Sequence, residues 1–189
     1  MVMLVGIAAG PAHAAGVGVD EANEAQLEAA RGPYLDAKKA FDAGDYETAA
    51  QGFQASYDAV ASPNSHLMLA KSLEKLGRMA ASYREAKAVV PEAEAAAAQD
   101  DKYARTAEDA RALMESLRTK VGFLTVRLPP NQSGSVSVDG RPLGPEELAE
   151  PVLVDPGEVT VTFESTRGPD ERSITLGPGG TGLIDFGVK

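Results

Sequence analysis

Two histidines, His13 and His66, are the only imidazoles in the chain, and cysteine is absent altogether. A Ser-His-Asp relay or a multi-histidine metal centre needs more companions than that. Without a thiol there is no cysteine nucleophile, thiolate metal site or disulfide framework. His66 therefore reads as a residue packed at the start of a helix. The acid pairs Asp100-Asp101 and Glu146-Glu147 are adjacent in sequence, so on a helix they diverge and serve as caps or solvated charge. The run Gly177-Pro178-Gly179-Gly180-Thr181-Gly182 has the glycine density of a phosphate loop but lacks the lysine that reaches the phosphates, and it reads as a turn. No catalytic, cofactor-binding or metal-ligating set is expected. One spacing stands out: Lys38 and Lys71 lie 33 residues apart.

That interval belongs to the elements that carry them. Gly44-Asp45-Tyr46 is echoed 33 residues later at Gly77-Arg78-Met79. The apolar positions follow at the same offset, Tyr34 with Leu67, Ala37 with Ala70, Ala40 with Leu73, and Phe53 with Ala86. A period of this size, with one helix before a glycine and one after, marks a helical-hairpin repeat. Tyr46, Ala49, Ala50, Phe53, Tyr57 and Val60 form one helical stripe. Gly32-Pro33 is expected to start the first helix of the repeat region, which ends near Ala43, and Asp45 to Ala61 forms its partner. Ser62-Pro63 reads as the next start signal. The second hairpin spans Asn64 to Leu76 and Arg78 to about Val90, with Pro91 ending or bending it. After an Ala/Glu-rich stretch, Asp100-Asp101 caps a last helix whose Ala110, Leu113, Met114 and Leu117 cover the second repeat.

The pattern resembles the tetratricopeptide repeat, through the small Ala37, then Gly44-Asp45-Tyr46, Ala49 and Phe53, and the closing Pro63. The second copy keeps Gly77 and Tyr83, with Ser82 and Ala86 at the usual alanine and aromatic positions. The resemblance implies a concave groove lined by the first helix of each repeat. Carried over to this chain, the groove residues are Tyr34, Lys38, Phe41, Leu67, Lys71 and Lys75. Regularly placed ammonium groups beside apolar side chains suit an acidic peptide or a C-terminal carboxylate. The alternative is that these lysines are simply solvated.

At Val121-Gly122 the period changes from helical to two. Leu124, Val126 and Leu128 alternate, as do Val136 and Val138, and Val159, Val161 and Phe163, between Pro/Gly clusters that mark short antiparallel strands. Val138-Asp139-Gly140-Arg141 is a two-residue hairpin signal. Six or seven strands in this length imply a small β-sandwich. The segment resembles the PEGA domain through Gly122-Phe123-Leu124-Thr125-Val126, Val136-Ser137-Val138-Asp139-Gly140 and Val154-Asp155-Pro156-Gly157-Glu158-Val159-Thr160-Val161. Pro130-Asn131-Gln132-Ser133-Gly134 stands where that family carries its naming tetrad. Phe123, Phe163 and Phe186 fall on strand positions suited to the core, so an aromatic sugar platform is not expected.

The expected fold is α+β in two domains. Residues 1–14 form a signal peptide, 15–31 an acidic lead-in, 32–120 the helical repeats and 121–189 an antiparallel β-sandwich. The signal reading rests on an uncharged stretch from Met1 to Val19 with a small-x-small site at Ala12-His13-Ala14. It carries no basic residue ahead of the apolar run and is too broken to span a membrane. A net charge of −10 argues against nucleic acid, which needs a cationic face. The expectation is a non-catalytic exported scaffold, periplasmic or secreted, that docks a protein or peptide. The pairing of these two resemblances behind such a signal is similar to envelope proteins of myxobacterial type. The competing readings are an accessory or catalytic subunit of an envelope enzyme and a self-associating structural module.

Overall fold

The computed structural model describes residues 16–130 and 132–187, so the expected signal peptide lies outside the described residues. The chain is α+β and divides into two compact units, with the division between Thr119 and Lys120.

The helical unit opens with a two-residue strand, β1 (Val17–Gly18), followed by α1 (Glu24–Asp42). The helix does not start at Pro33, as the Gly32-Pro33 signal suggested. It starts nine residues earlier in the acidic lead-in, where Asn23 and Gln26 form a reciprocal capping box, and it runs through Pro33. The box satisfies two otherwise unpaired amides, and Glu24 to Arg31 are mostly good helix formers, which outweighs the local cost of an interior proline. Residues 24–31 of the lead-in are thus the first part of α1.

Next come α2 (Tyr46–Ala59), capped by Asp45, and β2 (Val60–Ala61), which pairs in parallel with β1. Val60 is buried, but as a strand residue beyond the helix. α3 (Pro63–Lys75) has Pro63 in its first turn, although the Ser62 side chain makes no capping hydrogen bond. α4 (Met79–Ala97) passes straight through Pro91. A 3-10 turn at Asp101–Tyr103, capped by Asp100, leads into α5 (Ala104–Arg118).

Successive helices pack on one another. The glycines that end α1 and α3 take the same left-handed turn, Gly44 at φ 82° and Gly77 at φ 77°. Each is closed by the same two bonds, Gly44 N–H to Phe41 O with Asp45 N–H to Ala40 O, and Gly77 N–H to Glu74 O with Arg78 N–H to Leu73 O. This is the Schellman pattern, which satisfies the last carbonyls of a helix. Phe53 sits fully buried between Ala37, Ala49, Ala50 and Leu69, with Tyr34 edge-on at 5.4 Å. A second cluster joins Leu67 and Ala70 of α3, Ala86, Val89 and Ala93 of α4, and Ala107, Ala110, Leu113 and Leu117 of α5. The last helix therefore covers the second hairpin.

The β unit comprises β3 (Gly122–Arg127), β4 (Gly134–Val138), β5 (Arg141–Leu143), β6 (Val152–Val154), β7 (Gly157–Ser165), β8 (Gly168–Leu176) and β9 (Thr181–Asp185). They form a three-stranded sheet in the order β6-β3-β9 and a four-stranded sheet in the order β5-β4-β7-β8. Residues from both sheets share one core, including Leu124, Val154, Val136, Val161, Phe163 and Ile184. Asp139 and Gly140 both have positive φ, as the two-residue hairpin requires.

Two expectations need correcting. The unit is not wholly antiparallel, because β9 pairs in parallel with β3. The glycine-rich run is a turn, as expected, and carries the chain from the four-stranded sheet into the three-stranded one; it is pinned by Gly179 N–H to Val121 O and Phe123 N–H to Gly180 O. At Gly182 an added Cβ would stand 2.7 Å from the ends of the Ile174 and Leu176 side chains, so a larger residue there would require those side chains to shift. Phe123 lies on the opposite face of β3 from Leu124 and is only half-buried, whereas Phe163 and Phe186 do reach the core.

Candidate functional site

Of the six expected groove residues, the fold brings three together. Phe41 of α1 and Lys71 and Lys75 of α3 line a hollow of about 350 Å³ with Asp109, Leu113 and Ser116 of α5. Alternate helices thus contribute to one concavity. Its charges are matched in number, Lys71 and Lys75 against Glu74 and Asp109; Lys71 Nζ donates to Asp109 at 3.2 Å, and Lys75 is exposed. The other three residues lie elsewhere. Lys38 pairs with Asp42 one turn along its own helix at 2.8 Å. Tyr34 packs against Phe53, and Leu67 is buried among α4 and α5 residues.

A second constellation escaped the sequence reading. His66, in the first turn of α3, is 4% exposed, and both its ring nitrogens are engaged. Nε2 lies 2.8 Å from Glu85 Oε2 and Nδ1 2.8 Å from Glu92 Oε2, both carboxylates coming from α4. The Tyr57 hydroxyl at the end of α2 donates to Glu92 Oε1 at 2.7 Å, and its ring lies 4.3 Å from the imidazole centroid. Burial alone would lower the pKa of His66. The hydrogen bonds to Glu85 and Glu92 and their negative charges together outweigh it and raise the value to about 9. The ring is therefore an imidazolium at neutral pH, donating from both nitrogens. Tyr57 is pushed up, first by burial and then by its bond to Glu92, and stays a phenol.

Glu85 and Glu92 are seven residues apart, two helical turns, and so project from one side of α4. That spacing was legible; that a histidine 26 positions before Glu92 would lie between them was not.

Glu92 and Tyr57 also form part of the wall of a cavity of about 470 Å³. The cavity is also lined by Val19 beside β1, by Pro63, by Ala95 and Ala96 of α4, and by Tyr103. The β1–β2 pairing brings the 18–20 segment here, with Gly16 N–H bonded to Tyr57 O at 3.3 Å.

Comparisons of the chain with protein-family models, curated proteins and solved structures found no match. Among the described residues no cluster of His, Asp or Glu is placed to hold a metal ion, and no helix is long and apolar enough to cross a membrane.

Proposed function

We propose that this chain is a non-catalytic interaction protein of the cell envelope, a tetratricopeptide-like scaffold carrying a PEGA-like β-module. The reading is supported above all by the hollow to which α1, α3 and α5 each contribute, beside two hairpins closed by the same glycine turn 33 residues apart. Alternate helices lining one concavity is how stacked hairpins form a binding face. The occupant is an extended acidic segment of a partner protein. Phe41 and Leu113 offer apolar contact, Lys75 an exposed ammonium, and Lys71 a cation whose direction is set by Asp109. The state of His66 also supports binding over catalysis, because an imidazolium with both nitrogens committed is a poor base. Export is supported by the uncharged N-terminal stretch and its Ala12-His13-Ala14 site.

The test uses fluorescence anisotropy with labelled peptides that alternate glutamate with leucine, against peptides that alternate lysine with leucine. The acidic series should bind, and more weakly as salt rises. Reversing Lys71→Glu together with Lys75→Glu should weaken it by roughly tenfold or more, whereas Lys38→Glu should leave it unchanged. Equal binding of both series, or indifference to the double reversal, would remove the hollow from consideration. N-terminal sequencing of exported protein should find a start near Ala15; an intact Met1 on cytoplasmic protein would defeat the export reading.

A further inference from the structure

The cavity beside His66 has the composition of a small-ligand site and a charge that selects the ligand. Its wall is mostly apolar, including Val19, Pro63 and Ala95, with two tyrosine rings, Tyr57 and Tyr103. At about 470 Å³ it falls within the range of small-molecule pockets.

Its charged groups are Asp20, Glu92, Asp100 and Lys102. Lys102 is ion-paired with Asp100, which leaves Glu92 and Asp20 to set the sign. Glu92 is anchored by two donors, the Tyr57 hydroxyl on one oxygen and His66 on the other, yet its side chain remains 34% exposed. A carboxylate offers about four acceptor positions, so anchoring leaves some of them vacant. The His66 charge does not cancel it, because that single cation is shared with Glu85. Together His66, Glu85 and Glu92 carry one negative charge in excess.

One aromatic face of the wall already lies against a cation of the chain itself. Lys102 Nζ lies over the Tyr103 ring, 4.8 Å from its centroid. We infer that this cavity binds an alkylammonium ion, its apolar stem against Pro63 and Ala95 and its charged head at the anchored carboxylate of Glu92. A free amine and a lysyl side chain of a partner present the same chemistry. The inference stands apart from the hollow between α1, α3 and α5, with which this cavity shares no lining residue.

The experiment follows amide chemical shifts of the full chain during titration with pentylamine, with pentanol as the neutral counterpart and Nα-acetyl-lysine methylamide as the lysyl mimic. Pentylamine should shift resonances around Tyr57, Glu92 and Tyr103, and pentanol should bind at least about tenfold more weakly, as loss of a charge-assisted contact implies. Glu92→Gln should produce a comparable loss. Because that change also disturbs the His66 network, Ala95→Phe provides a second arm. It fills the cavity from an exposed helix position and replaces no residue of the network, and it should abolish the shifts while preserving helical circular dichroism. Binding of the lysyl mimic alone assigns the site to a partner's side chain, and binding of both amines assigns it to the ammonium chemistry at large. Detectable and equal binding of pentanol and pentylamine, no binding of the lysyl mimic or of pentylamine, or amine binding unchanged in Ala95→Phe would overturn the inference.

Discussion

His66 ties three helices through one charged ring. Tyr57 comes from α2, His66 from α3, and Glu85 and Glu92 from α4, and these are the titratable groups facing the imidazole. A histidine whose folded pKa lies above its ordinary value stabilises the fold while it is charged. Its contribution is full below pH 6.5, declines as the pH rises and is gone beyond about 9. About 3 kcal/mol separates the two ends of that window. Denaturant unfolding of the wild type and His66→Gln should therefore show a gap that narrows between slightly acidic pH and pH above 9. A gap that is constant or widens would mean that the ring is neutral and its two bonds are ordinary ones.

Among the elements, the hairpins make opposite demands on their glycines. At Gly44 and Gly77 an added Cβ meets nothing within 4 Å, so Gly→Ala there costs only the left-handed backbone, about 1 kcal/mol and nearly equal at both sites. Gly52 lies mid-helix in α2, where alanine would ordinarily gain about 1 kcal/mol. Its Cβ, however, would stand 2.8 Å from Ala37 Cβ and 3.3 Å from Pro33 O, both on the backbone-proximal surface of α1. Gly52→Ala should accordingly destabilise by about 1–3 kcal/mol through overpacking. Thermal unfolding of the three variants distinguishes these cases, and a stabilising Gly52→Ala would show that α1 and α2 do not approach so closely. Phe53→Ala, at the fully buried centre of the same hairpin, should cost about 3–5 kcal/mol, and a loss below about 1 kcal/mol would place Phe53 at the surface.

For the whole molecule, each unit encloses its own apolar clusters, and the division falls between Thr119 and Lys120. Arg118 closes α5 and Lys120 precedes β3, so trypsin has two sites at the link. Brief digestion should cut there first and release a helical and a β fragment that keep their respective circular dichroism. First cuts within Tyr46–Ala59 would contradict the packing of α2.

Periodicity determined the main helices and most strands of the β unit, the 33-residue repeat, the glycine turns and the switch from helix to strand near Lys120, but not the short β1–β2 pair. Those features are local: a left-handed glycine, an apolar stripe and a period-two run each follow from neighbours a few residues away. The run of α1 through Pro33 was also locally encoded, in the Asn23–Gln26 box, but two short signals competed and the capped one prevailed. What only the tertiary structure decided involves long separations. The parallel pairing of β3 with β9 joins residues nearly sixty positions apart, and no hydropathy pattern specifies which sheet a terminal strand enters. In the groove, helical spacing put Lys38 and Lys71 at equal repeat positions, yet Lys38 turned to Asp42 and Lys71 to Asp109, because the nearest carboxylate settles where a flexible ammonium goes. His66 looked isolated because its partners lie 19 and 26 residues away on another helix. Only the packing of α3 on α4 brought charge to it, and with that charge the carboxylate that faces the cavity.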